Sequence, residues 1–136
     1  MQISLEADHK HYSIISYAPG CLTLAQPRQT PIPSSLEERK TTVQKSCILT
    51  PDSLYENWPP QCFDDFTAEH FAALLPMAPE LVILGTGSRL RFPISAILAP
   101  LMTRGIGVEV MNTAAACRTY NFLMVDGRNV LAALLL

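Results

Sequence analysis

The 136-residue chain lacks the features that mark three broad classes of protein. Its longest apolar runs, such as Ala96–Met102, which Pro100 interrupts, fall far short of the ~20 residues that cross a bilayer. Its ten basic residues are scattered and outnumbered by twelve acidic ones, whereas nucleic-acid binding requires a concentrated basic surface. The N-terminus has neither a basic flank nor an apolar signal core. We therefore expect a cytoplasmic protein with no transmembrane segment and no nucleic-acid partner.

Cysteine and histidine are too sparse and too far apart to indicate a metal site. Cys21, Cys47, Cys62 and Cys117 form no Cys-x-x-Cys pair and have no histidine at zinc-finger spacing. Without a secretory signal, we expect reduced thiols that pack as small hydrophobic groups. The His-Lys-His segment at residues 9–11 is typical of a solvated strand end or turn. The sequence therefore predicts no metal and no cofactor.

The composition that is present fits a single domain over residues 1–136. The chain is 49% hydrophobic and 16% charged, and a chain of this length buries roughly two-thirds of its unfolded surface. In the N-terminal part, residues 12–17 and 21–24 flank Ala18-Pro19-Gly20 and predict an antiparallel hairpin. The proline-rich residues 26–40 predict an exposed loop, and residues 41–49 predict a strand.

Strand and helix patterns alternate in the C-terminal half. Residues 80–84 form an apolar run without alternation, which is typical of a strand covered on both faces. Residues 107–111 predict a second buried strand, and residues 130–136 a third. Such alternation implies parallel strands joined by right-handed crossovers. The predicted fold is α/β and three-layered, with a mixed central sheet, a β-α-β-α-β C-terminal half and antiparallel N-terminal strands.

The helices of this half begin and end at recognisable residues. Thr67 has the chemistry of an N-cap for a short helix. Pro93 suits the first turn of a helix that ends at Gly105, and Pro100 should kink or split that helix. Asn112 or Thr113 is predicted to cap the next helix, over residues 114–125.

The ends of the first two predicted parallel strands define a candidate crevice. Ligands of open α/β sheets bind beyond the carboxyl ends of the strands, which here are Gly85–Ser88 and Met111–Thr113. Glycine there would let backbone N–H groups and a helix N-terminus approach a small anion. The dinucleotide fingerprint fails because Leu90 occupies its third glycine position, and no phosphate loop follows. The alternative is a tight turn that needs glycine dihedral angles.

A polar cluster follows on the next helix, where Thr113, Cys117 and Asn121 share one face. A thiol beside Arg118 could act as a nucleophile, but no base can be named from the spacing, and Cys117 fits core packing better. Arg118, Tyr120 and Asn121 could close the crevice, anchor a partner or tie the helix to a loop. With no catalytic residue identified, the candidate binding residues are Gly85, Thr86, Gly87, Ser88, Asn112, Thr113, Arg118, Tyr120 and Asn121.

These motifs together carry a resemblance to a known family. They are Leu84-Gly-Thr-Gly-Ser, Phe92-Pro93, residues 105–113, residues 115–121 and Asp126-Gly127-Arg128. In this order they resemble a family of small domains of unknown function. That family includes the third assembly factor of mitochondrial respiratory complex I and an animal protein linked to adipogenesis. The resemblance covers residues 80–136 well and implies a three-layer fold, protein-binding roles and no established catalytic residues.

Two hypotheses follow for the function. The first is a non-enzymatic binding module that acts through protein contacts, as an assembly factor related to complex I biogenesis does. The second is a small-molecule or anion-binding domain, or an enzyme, that uses the strand-end crevice. The absence of an evident nucleophile with its base favours the first. Because the chain has no Arg-rich presequence, we expect a prokaryotic relative of the mitochondrial proteins.

Overall fold

The computed structural model describes residues 10–28 and 35–136, and within them the chain forms two β-sheets. The smaller sheet is antiparallel, in the order β1-β2-β3, with β1 Ser13–Ala18, β2 Cys21–Ala25 and β3 Lys40–Val43. The larger sheet has the order β5-β4-β8-β6-β7. Its strands are β4 Cys47–Leu49, β5 Leu54–Tyr55, β6 Leu81–Thr86, β7 Gly107–Met111 and β8 Val130–Leu135.

The C-terminal half has the predicted β-α-β-α-β topology. Strand β6 pairs in parallel with both β7 and β8, while β4 runs antiparallel to β8. Helix α3, Ser95–Met102, joins β6 to β7, and helix α4, Thr113–Val125, joins β7 to β8. Because β8 lies on the far side of β6 from β7, the two crossovers place their helices on opposite faces of the sheet. The prediction of a mixed sheet is confirmed.

The core consists of two layers of apolar side chains, one on each face of the larger sheet. On one face, α4 and the smaller sheet pack against Ile83, Ala132 and Leu134. On the other face, α3 and helix α2, Ala68–Ala72, pack against β6 and β8. The fold therefore has three layers, as predicted. Thr67 directly precedes α2, which agrees with its predicted place as N-cap.

Strand β7 differs from the prediction. It was expected to be buried on both faces, but it lies at the edge of the larger sheet, and Gly107 and Glu109 are exposed. The strands covered on both faces are β6, which is buried after Leu81 as predicted, and β8, in which every residue is buried. The physical reason is position, because an edge strand has a neighbour on only one side and carries a charged residue where a central strand cannot.

Two predictions for the N-terminal part need correction. Residues 41–49 do not form one strand, because β3 ends at Val43 and β4 begins at Cys47 in the other sheet. Between the two strands, Ser46 O accepts a hydrogen bond from Trp58 N at 3.2 Å. Residues 26–40 are not wholly an exposed loop. Helix α1, Leu36–Arg39, ends in a buried arginine whose Nη1 donates to Gln26 O at 3.0 Å. Residues 29–34 of that predicted loop lie outside the described residues. The predicted hairpin is confirmed as β1 and β2.

Of the two prolines in the first crossover, Pro93 lies outside the helical turn predicted for it, and Pro100 lies inside α3, where a kink or a split was predicted. Pro93 lies before α3, whose N-cap position is Ile94. Pro100 does not split the helix, which continues to Met102 with Thr103 N donating to Ala99 O at 2.9 Å. Burial of Leu98 and Leu101, on both sides of Pro100, compensates for the hydrogen bond that proline cannot donate. Gly105 has a φ of 75° and ends this helix, as predicted.

Candidate functional site

The carboxyl ends of β6 and β7 are neighbours and border a cavity. Gly85 pairs with Met111 in the parallel register, so the two strand-end turns lie side by side. A cavity of about 300 Å³ opens beside them. It is lined by Tyr17, Ala18, Pro19, Gly87, Ser88, Asn112 and Ala114. The structure therefore brings Gly87, Ser88 and Asn112 together and adds the β1–β2 turn, which the sequence did not place there.

The β6 turn is held against α4 by Thr113. Its hydroxyl donates to Leu135 O at 2.6 Å and accepts from Gly87 N at 2.8 Å, while Thr113 N donates to Gly87 O at 2.9 Å. A Cβ at Gly85 would lie 2.9 Å from Thr113 Oγ1 and 3.2 Å from Thr113 Cα. Gly85 is therefore required by this close approach, and Gly87, with a φ of 90°, by its turn conformation. Both observations support the tight-turn alternative.

The remaining polar groups at the strand ends also have partners inside the protein. The Thr86 hydroxyl donates to Arg89 O at 2.6 Å and accepts from Arg91 N at 3.3 Å. Asn112 Oδ1 accepts from Ala115 N at 2.9 Å and caps α4. Tyr17 Oη donates to Leu136 O at 3.2 Å. Most of the polar chemistry predicted for the crevice therefore holds the fold together.

Tyr17 is the titratable residue among those that line this cavity. Burial and, to a smaller extent, the nearby Cys117 thiol raise the pKa of Tyr17 above its ordinary value of 10.0, while hydrogen bonding with Thr113 opposes the shift. The phenol thus stays protonated at neutral pH. The described lining includes no cysteine, histidine or carboxylate, so it offers hydrogen bonds and an apolar wall rather than acid-base chemistry.

Tyr120 and Asn121 lie elsewhere, between α4 and β1. Asn121 accepts from Ile14 N and donates to Ile14 O, both at 2.8 Å. The carboxamide thus pairs with β1 as a neighbouring strand would, next to the register shift of that strand. Tyr120 Oη donates to Tyr12 O at 2.8 Å. Both side chains therefore connect α4 to β1 or to Tyr12, the residue that precedes it, and neither lines the cavity at the strand ends. Arg118 is exposed on the outer side of α4.

Cys117 is fully buried beneath α4. Burial raises the pKa of the Cys117 thiol to about 12; the Cys47 thiol adds to the shift and Arg118 opposes it. A thiol that is neutral and inaccessible is a poor nucleophile. The interpretation of Cys117 as core packing fits this environment. Cys47 is buried as well, whereas Cys62 is exposed, so the expectation that the thiols pack as small hydrophobic groups does not hold for Cys62.

A larger cavity, of about 470 Å³, lies at the opposite end of the sheet, beside the amino ends of β6 and β8. Its wall comes from separate segments of the chain, so no local sequence pattern predicts it. Two polar side chains around it, His11 and Arg128, lie beside carboxylates of the protein. His11 Nε2 lies 3.9 Å from Asp52 Oδ1, and Arg128 bonds with Glu80, which raises the pKa of Arg128 above its ordinary value.

A feature missed by the sequence reasoning is an exposed apolar surface between β6 and α3. We define the β6–α3 surface as Leu90, Phe92, Ile94 and the outer side of α3 up to Met102. Phe92 and Ile94 are each 69% exposed, and Leu90 and Met102 are also exposed. Two sequence signals could have revealed it: helix α3 contains no charged residue, and residues 81–108 contain no acidic residue.

Comparison with known proteins identifies the family. A family model described as "Protein of unknown function (DUF498/DUF598)" matches residues 17–135. The chain belongs to this family. The predicted resemblance is therefore confirmed, and the match extends well beyond residues 80–136 into the N-terminal strands.

The relatives whose names state a function match only part of this DUF498/DUF598 chain. The bovine "NADH dehydrogenase [ubiquinone] 1 alpha subcomplex assembly factor 3" is 38% identical over 91 residues, which is 65% of the chain and 49% of the bovine protein. The human protein of the same name has the same identity and coverage. The chain thus spans about half the length of these relatives.

Solved structures of bacterial proteins match the fold over nearly the whole chain. An NMR structure from Xanthomonas campestris is 33% identical, with a TM-score of 0.74, covering 99% of this chain and 92% of that one. A crystal structure from Bordetella parapertussis is 30% identical, with a TM-score of 0.75, covering 93% and 96%. In the part of the chain that the structure describes, no helix has the length and apolar character needed to cross a membrane.

Proposed function

We propose that the chain is a non-enzymatic binding module that acts on partner proteins as an assembly factor does, and that its partners are subunits of a respiratory NADH dehydrogenase. The similarity to assembly factor 3 suggests this class of partner. The observation that carries the proposal is the β6–α3 surface, on which large apolar side chains face solvent. Exposed apolar patches of this kind are typical of sites that bind other proteins.

The state of the crevice supports the same conclusion. Thr86, Asn112 and Thr113 direct their side chains to backbone groups of this chain. A ligand entering the crevice would have to compete with those hydrogen bonds, whereas a partner docking on Phe92 and Ile94 displaces only water. Binding through the β6–α3 surface also needs no rearrangement of the protein.

Quantitative affinity capture from the native organism tests the proposal. The wild-type protein is compared with a Phe92→Ser/Ile94→Ser variant. Phe122→Ser is the matched control because Phe122 is 75% exposed but lies on the outer side of α4. We expect NADH dehydrogenase subunits with the wild type and with Phe122→Ser, and a loss of roughly tenfold or more with the double variant.

Two outcomes would contradict the proposal. One is that the folded wild-type protein recovers no such subunit above background. The other is that a metabolite or small anion raises the melting temperature saturably at low concentration, as a ligand that prefers the folded state does. An Arg118→Ala variant distinguishes the β6–α3 surface from the outer side of α4. If Arg118→Ala loses the captured subunits and Phe92→Ser/Ile94→Ser keeps them, the binding site lies on α4.

A further inference from the structure

The β6–α3 surface combines apolar side chains with positive charge. Residues 81–108 contain three arginines and no acidic residue, whereas the rest of the chain has seven basic and twelve acidic residues. Arg89 precedes the exposed apolar side chains and Arg104 follows helix α3, and both are exposed. This exposed apolar segment thus has a positive charge at each end along the sequence, although the net charge of the protein is −2.

Helix α3 has no polar side of the kind that a solvated helix requires. Its buried residues are Leu98 and Leu101. Its more exposed positions carry Ser95, Ala96, Ala99, Pro100 and Met102. A surface helix ordinarily presents charged side chains to water, and their absence here indicates that the outer side of α3 is covered when the protein is at work.

The loop before α3 is held in a fixed conformation. The Thr86 hydroxyl binds the backbone of Arg89 and Arg91. The Arg91 guanidinium lies 4.0 Å from the centroid of the Phe63 ring, and its Nη2 lies 3.5 Å from Asp64 Oδ1. These contacts fix the backbone from which Phe92 and Ile94 project, so a partner would meet a preorganised apolar surface rather than a segment that must be ordered.

We infer that the β6–α3 surface receives an apolar protein segment flanked by aspartate or glutamate, with the apolar residues on Phe92 and Ile94 and the carboxylates near Arg89 and Arg104. This inference rests on the proposed function and specifies the chemistry of the partner. Charge complementarity of this kind selects a partner and speeds its association, while the apolar contact contributes most of the affinity.

Two other occupants fit the charges less well. A second copy docked about a twofold axis would bring the arginines of the two surfaces together, and like charges across an interface are unfavourable. An anionic membrane would gain only about 1 kcal/mol from each arginine near it. The observations therefore favour a protein segment of opposite charge.

Site-directed photocrosslinking with the full-length protein tests the inference. A photoreactive phenylalanine analogue replaces Phe92 in one variant and Phe122 in a second, and the crosslinked partner peptides are identified by mass spectrometry. We expect crosslinks from position 92 to an apolar segment with net negative charge, and few from position 122. A basic or uncharged segment, or a peptide of this same chain, would overturn the inference.

Charge reversal provides the second measurement. Arg89→Glu/Arg104→Glu should reduce capture of the partner about tenfold, and Arg89→Lys/Arg104→Lys should retain it. Equal capture by both variants would overturn the inference and leave the proposed function intact, whereas failure of the wild type to capture any partner would overturn both. Flotation with vesicles of phosphatidylcholine and phosphatidylglycerol tests the membrane as an alternative occupant. If the wild-type protein binds these vesicles and Arg89→Glu/Arg104→Glu does not, the surface binds a membrane and the inference is overturned.

Discussion

Helices α3 and α4 cover opposite faces of one sheet, yet their side chains are used in opposite ways. Helix α4 turns Thr113, Tyr120 and Asn121 inward, where each bonds to the backbone of a neighbouring segment. Helix α3 has no charged side chain, and the loop before it holds Phe92 and Ile94 in solvent. The difference teaches that polar residues of the strand-end motifs stabilise the fold, while Phe92 and Ile94 lie largely outside the core.

Among single substitutions on α4, the largest change in the free energy of unfolding is expected at Asn121. An Asn121→Leu variant preserves side-chain volume but leaves the N–H and C=O of Ile14 buried without their partner. Each unsatisfied buried group costs about 1–3 kcal/mol, so we expect the free energy of unfolding to fall by about 3 kcal/mol. Urea denaturation measures it. Phe122→Leu, at the next position on the solvent side, should change it by less than about 0.5 kcal/mol. Equal losses in the two variants would show that Asn121 is not the tie between α4 and β1.

The buried thiols on the α4 side of the sheet predict a dependence on pH. Burial raises the pKa values of Cys47 and Cys117 from 9.0 to about 12 in each case. The pKa of each thiol is higher in the folded than in the unfolded protein. The contribution of the neutral buried thiols to the free energy of unfolding is therefore complete below pH 9 and is lost as the pH rises from 9 towards 12. Each thiol should then lower the free energy of unfolding by about 1.4 kcal/mol per pH unit.

The measurement is urea denaturation at a series of alkaline pH values. A Cys47→Ala/Cys117→Ala variant is less stable at neutral pH because of its cavities, but its stability should fall less steeply above pH 9. Parallel slopes for variant and wild type would contradict the prediction. Alkylation at pH 8 provides an independent test, since the exposed Cys62 should react well before either buried thiol.

A smaller effect is expected where α4 meets the β6 turn. In Gly85→Ala the new methyl group meets Thr113 Oγ1 at 2.9 Å and the backbone at 3.2 Å, so the helix or the strand must shift. Such overpacking costs about 1–3 kcal/mol. In the matched control Gly107→Ala, the methyl group meets the end of a leucine side chain, Leu81 Cδ1, at 3.2 Å and Glu80 O at an ordinary 4.0 Å, so stability should barely change. A silent Gly85→Ala would mean that the close contact is not required.

The sequence predicted the topology better than the partners of individual side chains. Unbroken apolar runs and helix-capping residues depend on local pattern, so β6, β8 and α4 could be located from the sequence. Position in the sheet is not local. The sequence of β7 resembles that of a central strand, and only the strand order shows that it lies at an edge.

The same limit applies to the predicted site. Asn121 was grouped with the crevice because it shares a helix face with Thr113, but its partner, Ile14, lies 107 positions away in the chain. Helical spacing tells which residues of α4 point the same way and cannot tell what they meet. Gly87, Ser88 and Asn112 came together because they follow adjacent parallel strands, a relation that the pattern of the chain does specify.

The smallest expected change in the free energy of unfolding is at the exposed residues of the β6–α3 surface. These residues therefore differ most clearly from the inward-facing residues of α4. Met102 is exposed and its neighbour Leu101 is fully buried on the same helix. Leu101→Ala should lower the free energy of unfolding by about 3 kcal/mol, whereas Met102→Ala and Phe92→Ser should each change it by less than about 0.5 kcal/mol. Denaturation measurements on the three variants decide the matter. If Phe92→Ser lowers the free energy of unfolding as much as Leu101→Ala does, Phe92 belongs to the core. If Phe92→Ser leaves stability unchanged and abolishes partner capture, folding and binding rest on different residues, which is the separation that α3 and α4 already imply.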